Sequence, residues 1–271
     1  MKLFLLTLFP ALILFTLAIF PRTVLPKAEN SPEMVLVPAG KFTMHVEYRR
    51  REGLSLDSLV TDDRGVRYSM TRNIYLEAFY IDRTEVTNEQ FKTFLDQSGY
   101  IPKWPENFLR HWRNGSYPKG KGKHPVVWVS LEDAQAYARW AAKRLPTEAE
   151  WQKAAQGTDG RIWPWGNLYD PAKANMDSPG TKPVGSCPEG ASPYGCLDMA
   201  GNVWEWTDSF NTDGYHYFSW LRGGSYYHAK SSRWYMQGGP VTNYQRTKFW
   251  HMTPALNRCA TVGFRCVKDA R

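Results

Sequence analysis

The residues best equipped for chemistry lie in the last third of the 271-residue chain. Asp198-Met199-Ala200-Gly201-Asn202-Val203-Trp204-Glu205-Trp206 is followed by Arg222-Gly223-Gly224-Ser225-Tyr226 and then by His228, Ser231, Ser232, Arg233, Trp234 and Tyr235. Alternate residues of an extended segment face opposite ways, so Trp204 and Trp206 enter one apolar layer while Glu205 points elsewhere, beside the carbonyls of Gly201 and Val203. That arrangement reads either as an oxygen cage for a hard cation or as a core strand whose Glu205 is merely solvated. A histidine with nearby hydroxyls and an arginine can do acid–base work or hold an anion. His251, Asn257 and Arg258 precede the final strand and could complete the same pocket.

The four cysteines, Cys187, Cys196, Cys259 and Cys266, allow three pairings. Cys187–Cys196 and Cys259–Cys266 are the short-range choices for a structural role in an oxidising compartment. An alternative leaves Cys259 and Cys266 free to serve a metal with His228 or His251, but no CxxC spacing supports it. The chain has no nucleophile elbow, phosphate-cradling glycine loop or zinc-helix motif.

These groups need a scaffold. With 42% apolar and 15% aromatic residues the chain can build a substantial core, and 21 Gly with 18 Pro predict short elements joined by turns. The net charge of +8, with basic residues gathered at Arg49-Arg50-Arg51, Arg64, Arg67, Lys119, Lys121 and Lys123, reads chiefly as solvated basic loops. No nucleic-acid partner is expected.

Residues 1–20 form an apolar block after Lys2 and are expected to be an export signal or a membrane anchor, which would place the rest outside the cytoplasm, periplasmic or facing outward. Residues 21–33 read as a linker and 34–271 as the folded domain. Met34 to Met44 predicts a strand, a turn and a second strand, and His45 to Thr71 an inserted surface loop. Asn73 to Asp82 predicts one further strand.

Three helices are predicted by the same device. Thr87-x-x-Gln90, Ser130-x-x-Asp133 and Thr147-x-x-Glu150 each place a hydroxyl at the N-cap and an acid or amide three residues on. Phe91, Phe94 and Leu95 line the first helix, Ala134, Tyr137, Ala138 and Ala141 the second, and Trp151 and Ala154 the third. The long loop from Tyr100 to His124 is a candidate binding segment. Beyond Gly157 no long helix is expected, and Thr261 to Val267 predicts a strand finishing a sheet begun near the N-terminus.

Taken in order, Met34-Val35-Leu36-Val37-Pro38-Ala39-Gly40, Phe79-Tyr80-Ile81-Asp82, Glu85-Val86-Thr87-Asn88, His124-Pro125-Val126-Val127, Arg144-Leu145-Pro146-Thr147-Glu148-Ala149-Glu150-Trp151 and Pro164-Trp165-Gly166 resemble the formylglycine-generating enzyme, or sulfatase-modifying factor, family. Gly201-Asn202-Val203-Trp204-Glu205-Trp206, Arg222-Gly223-Gly224-Ser225 and Gly263-Phe264-Arg265-Cys266 continue the match. The resemblance implies a single α+β domain related to C-type lectins, with little regular secondary structure and bound calcium. It assigns the calcium to Asp198, Gly201, Val203 and Glu205, and aligns Asn175 and Met176 with the start of a second calcium site whose other ligands cannot be placed.

It also implies that the segment of His228, Ser231, Ser232, Arg233, Trp234 and Tyr235 lines a substrate groove. With the neighbouring Tyr227, Asn257 and Arg258, the candidate groove residues are Tyr227, Ser231, Ser232, Trp234, Asn257 and Arg258, and the catalytic candidates Ser225, His228, Arg233 and His251. His228 and Arg233 occupy the positions at which formylglycine-forming members carry their copper-binding cysteines. Met44 is followed by His45 where the family usually has Gly. An imidazole and a guanidinium do not supply thiolate ligation, so the copper route to formylglycine is not expected and the identity of any redox metal is open. Three functions remain: a divergent oxidase or modifying enzyme acting on a protein or secreted metabolite, a lectin-like binding module for a peptide, glycan or partner protein, or formylglycine formation by another route.

Overall fold

The computed structural model describes residues 33–49, 67–212, 214–227, 239, 241–253 and 256–270. The chain divides into Met1–Ser31 and Pro32–Arg271, and the fold below is that of the second unit. Within it β1 (Met34–Val37), β4 (Phe79–Asp82) and β9 (Val267–Asp269) form a three-stranded sheet in the order β1-β4-β9. The first and last strands therefore flank one central strand, antiparallel on both sides. A long hairpin, β2 (Gly40–Arg49) with β3 (Arg67–Leu76), stands as a second sheet.

The third sheet has the order β7-β6-β5-β8, built from β5 (Trp204–Thr212), β6 (Tyr217–Arg222), β7 (Thr247–Trp250) and β8 (Val262–Gly263). Its β5–β8 pairing is parallel, and the β5–β6 register slips between Trp206 and Phe210.

All three helices begin where the capping boxes place them. α1 (Asn88–Ser98), α2 (Leu131–Trp140) and α3 (Glu148–Gln156) each have the hydroxyl accepting from the N3 backbone and the N3 side chain accepting from the cap. The helical stripes become core. Phe91 and Phe94 of α1 meet Tyr137 of α2 at 5.8 and 5.6 Å between ring centres, and Tyr137 meets Phe264 at 5.4 Å. Trp204 and Trp206 join the same core from β5. On α3, Trp151 and Ala154 pack with Val37, Phe79 and Ile81.

The strand expectations need four corrections. β1 and β2 do not pair with each other, because β1 takes β4 and β2 takes β3. The segment expected as a surface loop instead lends residues to both arms of the hairpin, whose alternating Phe42, Met44 and Val46 are buried. Glu77 and Ala78 break the Asn73–Asp82 strand, and the terminal strand is likewise split, with β8 going to β5 and β9 to β4. Among the described residues no helix is long and apolar enough to cross a membrane; residues 1–20 lie outside them.

Candidate functional site

Gly201 organises the backbone. Its φ of +80° is in the left-handed region, and a Cβ would collide with the carbonyl of Asn175. Asp198 and Asn202 share that conformation, each with φ of 57°. The resulting turns bring three motif segments together: Asn202 N–H donates to Asn175 O (2.7 Å), Gly201 N–H to Gly223 O (2.7 Å) and Tyr226 N–H to Asn202 O (3.0 Å).

Glu205 is buried and paired. Arg265 donates from Nε to Glu205 Oε2 and from Nη2 to Oε1, both at 2.7 Å, and Trp151 Nε1 adds a third bond to Oε2 at 2.7 Å. The solvated reading of Glu205 is therefore corrected, since both side chains of the pair have no exposure. Arg265 spends its remaining donors on the carbonyls of Asp82, Arg83 and Leu197. Burial alone would weaken its charge, but Glu205 more than reverses this and holds the guanidinium above its ordinary range.

Two further buried carboxyls, Asp198 and Glu85, sit beside this ion pair. Asp198 Oδ2 accepts the Gly185 N–H at 2.5 Å, and Asn202 Nδ2 donates to Glu85 Oε1 at 2.9 Å. Burial pushes the Glu85 carboxyl well above the carboxylate range, with Asp198 adding to it. Burial raises Asp198 too, against the Gly185 amide and Arg265. Two buried acids in contact need a shared proton or a cation between them.

The donor set fits calcium at Asp198 better than at Glu205. Glu205 accepts three hydrogen bonds of about four available lone-pair directions, which leaves no room for two-oxygen coordination. Glu85 Oε2 and Asn175 Oδ1 are instead buried without partners. Asn202 lies between them, accepting from Asn175 Nδ2 at 3.0 Å. Met176 packs with Trp163, Ala174 and Ala200. Among the described residues no group of three or more His, Cys, Asp or Glu side chains is placed to hold a metal, so backbone and amide oxygens would have to complete such a site.

His251 occupies a different place. Its Nε2 is 2.8 Å from Ser219 Oγ, and its ring lies 5.9 Å from Trp206, 5.5 Å from Phe249 and 5.1 Å from Tyr217. Tyr217 in turn stacks on exposed Phe210 at 5.2 Å. An aromatic ladder thus runs from the surface to the buried Trp206. Burial lowers the His251 pKa, with Glu132 acting weakly the other way.

The other sequence candidates separate. Ser225 is buried, and its carbonyl accepts the Gly239 N–H at 2.9 Å. Tyr227 is exposed. Asn257 is half-buried with Oδ1 lacking a partner. Arg258 is not a groove residue: it is buried, donating to Asp133 from Nε at 2.7 Å and to the carbonyls of Trp104 and Glu106 from Nη1. It fastens the 100–124 loop to α2. His228, Ser231, Ser232, Arg233 and Trp234 lie outside the described residues.

The expected disulfides are not formed. Cys187, Cys196, Cys259 and Cys266 are all free thiols, and burial raises the pKa of each. Cys266 faces Asp82, whereas Cys259 contacts Thr261. Sequence reasoning missed Glu85, Asn202 as a side chain, Ser219 and Tyr217. The first two stood inside quoted motifs, but nothing local told that they meet.

The mixed, sheet-dominated arrangement with three short helices is a lectin-like α+β fold. Residues 21–270 match the sulfatase-modifying factor enzyme 1-like domain, and the chain belongs to that family. It is 30% identical over 240 residues to the formylglycine-generating enzyme of Mus musculus, covering 69% of this chain and 60% of that protein. It is 36% identical over 202 residues to the hercynine oxygenase of Mycolicibacterium smegmatis, covering 65% and 45%. The crystal structure of CarF superposes with a TM-score of 0.59 at 25% identity, over 88% of this chain and 98% of that one. The chain spans from 38% to 61% of the length of four curated relatives that it matches.

Proposed function

We propose that the protein is an exported, divergent modifying enzyme of this family, acting on a peptide, protein or small secreted metabolite, and not a copper-dependent formylglycine generator. The observation that carries the reading is His251. Its imidazole is hydrogen-bonded to Ser219 and stacked on Trp206 at the inner end of an aromatic ladder that opens at Tyr217 and Phe210. A pKa lowered by burial keeps this imidazole neutral at physiological pH, ready to take a proton from a bound substrate. Support for a changed reaction comes from the relatives, whose names include both a formylglycine-generating enzyme and a hercynine oxygenase. One scaffold carries more than one chemistry.

His228 and Arg233 stand at the positions that the resemblance gives to copper thiolates, and neither can replace one. Calcium at Asp198 and Glu85 would supply structure, neutralising two buried acids, and would take no part in the chemistry. Residues 1–20 direct export or anchor the chain to a membrane.

The exposed Phe210–Tyr217 stack also favours a second reading, a binding module for a peptide, glycan or partner protein. Metal content and dioxygen uptake of the purified chain separate the two. A stoichiometric redox metal lost in His228→Ala, with uptake that falls at least tenfold in His251→Ala, is the enzyme outcome. Calcium alone, with no uptake on cysteine peptides or small thiols, is the binding outcome.

A further inference from the structure

One buried cluster lies outside the site described above. Arg222 ends β6, Arg246 precedes β7 and Glu148 opens α3. Arg222 Nη1 is 3.3 Å from Glu148 Oε1, and Arg246 Nη1 is 2.5 Å from Glu148 Oε2. Two guanidiniums therefore share one carboxylate. Burial pulls the Arg222 pKa down to about 10, with Glu148 resisting and Arg246 reinforcing the fall. Arg222 still stays charged at neutral pH, and the cluster sets two guanidiniums against a single carboxylate.

The unused donors point the same way. Nε of Arg222 and Nε of Arg246 are each buried without a hydrogen-bond partner. Thr242 Oγ1, a hydroxyl in the turn leading to Arg246, is also unpartnered and can donate. Trp220 covers the face of Arg246 at 3.5 Å and Trp151 that of Arg222 at 5.4 Å. Ring faces attract the cation but leave in-plane N–H groups unsatisfied. The Arg222 side chain has no exposure and that of Arg246 is 11% exposed, so any partner would enter past Arg246.

We propose that Arg222 and Arg246 bind a small oxyanion, which supplies a second negative charge and accepts from the orphaned N–H groups. Sulfate, phosphate and a carboxylate share this chemistry. The test is thermal denaturation of the full chain titrated with sulfate, phosphate or acetate at constant ionic strength, with chloride as balance. A saturable rise in Tm of a few degrees is expected. A response to sulfate and phosphate alone identifies a tetrahedral ion, and one to acetate as well identifies a carboxylate-accepting site. Arg246→Gln should abolish the saturable part. Where that variant does not fold, Arg246→Lys keeps the charge without the fork, and calorimetric titration should show at least about tenfold weaker binding. A Tm that follows ionic strength alone, or equal saturation in either variant, would overturn the proposal.

Discussion

Arg265 and Glu205, sixty residues apart in sequence, face each other through two 2.7 Å bonds with no exposure on either side chain. The pair joins the β5 strand to the loop before β9, and Trp151 ties α3 to the same carboxylate. Removing one partner leaves a buried charge uncompensated. Glu205→Gln should therefore cost about 3–5 kcal/mol, read as a fall in the denaturation midpoint. A loss below about 1 kcal/mol would show that the pair is not buried as described.

The capping boxes give a smaller, local effect. Thr87→Ala removes the hydroxyl that accepts from Gln90 N–H and should cost about 1 kcal/mol. Thr87→Ser should restore most of it. Chemical denaturation of the three proteins checks both statements.

The contribution of the buried histidines to stability should be lost on mild acidification, whereas Glu85 and Asp198, whose carboxyls burial raises, work in the opposite direction. Burial, with Arg113 nearby, lowers the His111 pKa to about 4 from 6.5, and burial lowers His251 as well. A histidine with a depressed folded pKa is protonated first in the unfolded chain. These residues thus leave stability intact above pH 6.5 and erode it as pH falls from there towards their folded values, about 4 for His111. Below pH 4.5 the loss continues through Glu150. Burial raises its pKa, but bonds from Arg144 and the Thr147 amide lower it overall, so its contribution disappears as it protonates. His111→Phe should flatten the part of the slope between pH 6.5 and 4, measured by thermal melts across pH.

The thiols offer a direct count. Denatured, unreduced protein should take up four alkyl groups by mass, one on each cysteine found free. Incorporation of two or none would restore one or both of the bridges expected from an oxidising compartment.

Local signals were legible in the sequence and long-range ones were not. Thr87, Ser130 and Thr147 announce their helices because a capping box is complete within four residues. Strand pairing is different: nothing in Met34–Val37 says that its partner is Phe79–Asp82 and not the adjacent β2. The same limit applies to the site. Glu205 could be read as a cage oxygen or as a solvated acid, since neither reading knows that Arg265 folds back onto it. Arg258 looked like a groove residue by position, and its buried bond to Asp133, 125 residues away, lay beyond any local pattern.

The most direct test of the proposed chemistry is to load the full chain with copper(I), add dioxygen and a cysteine-bearing sulfatase-type peptide, and follow the peptide by mass and by hydrazide capture of aldehyde. With His228 and Arg233 in the ligand positions implied by the resemblance, no copper-dependent aldehyde is expected. Stoichiometric conversion of the cysteine to formylglycine, dependent on copper, would contradict it.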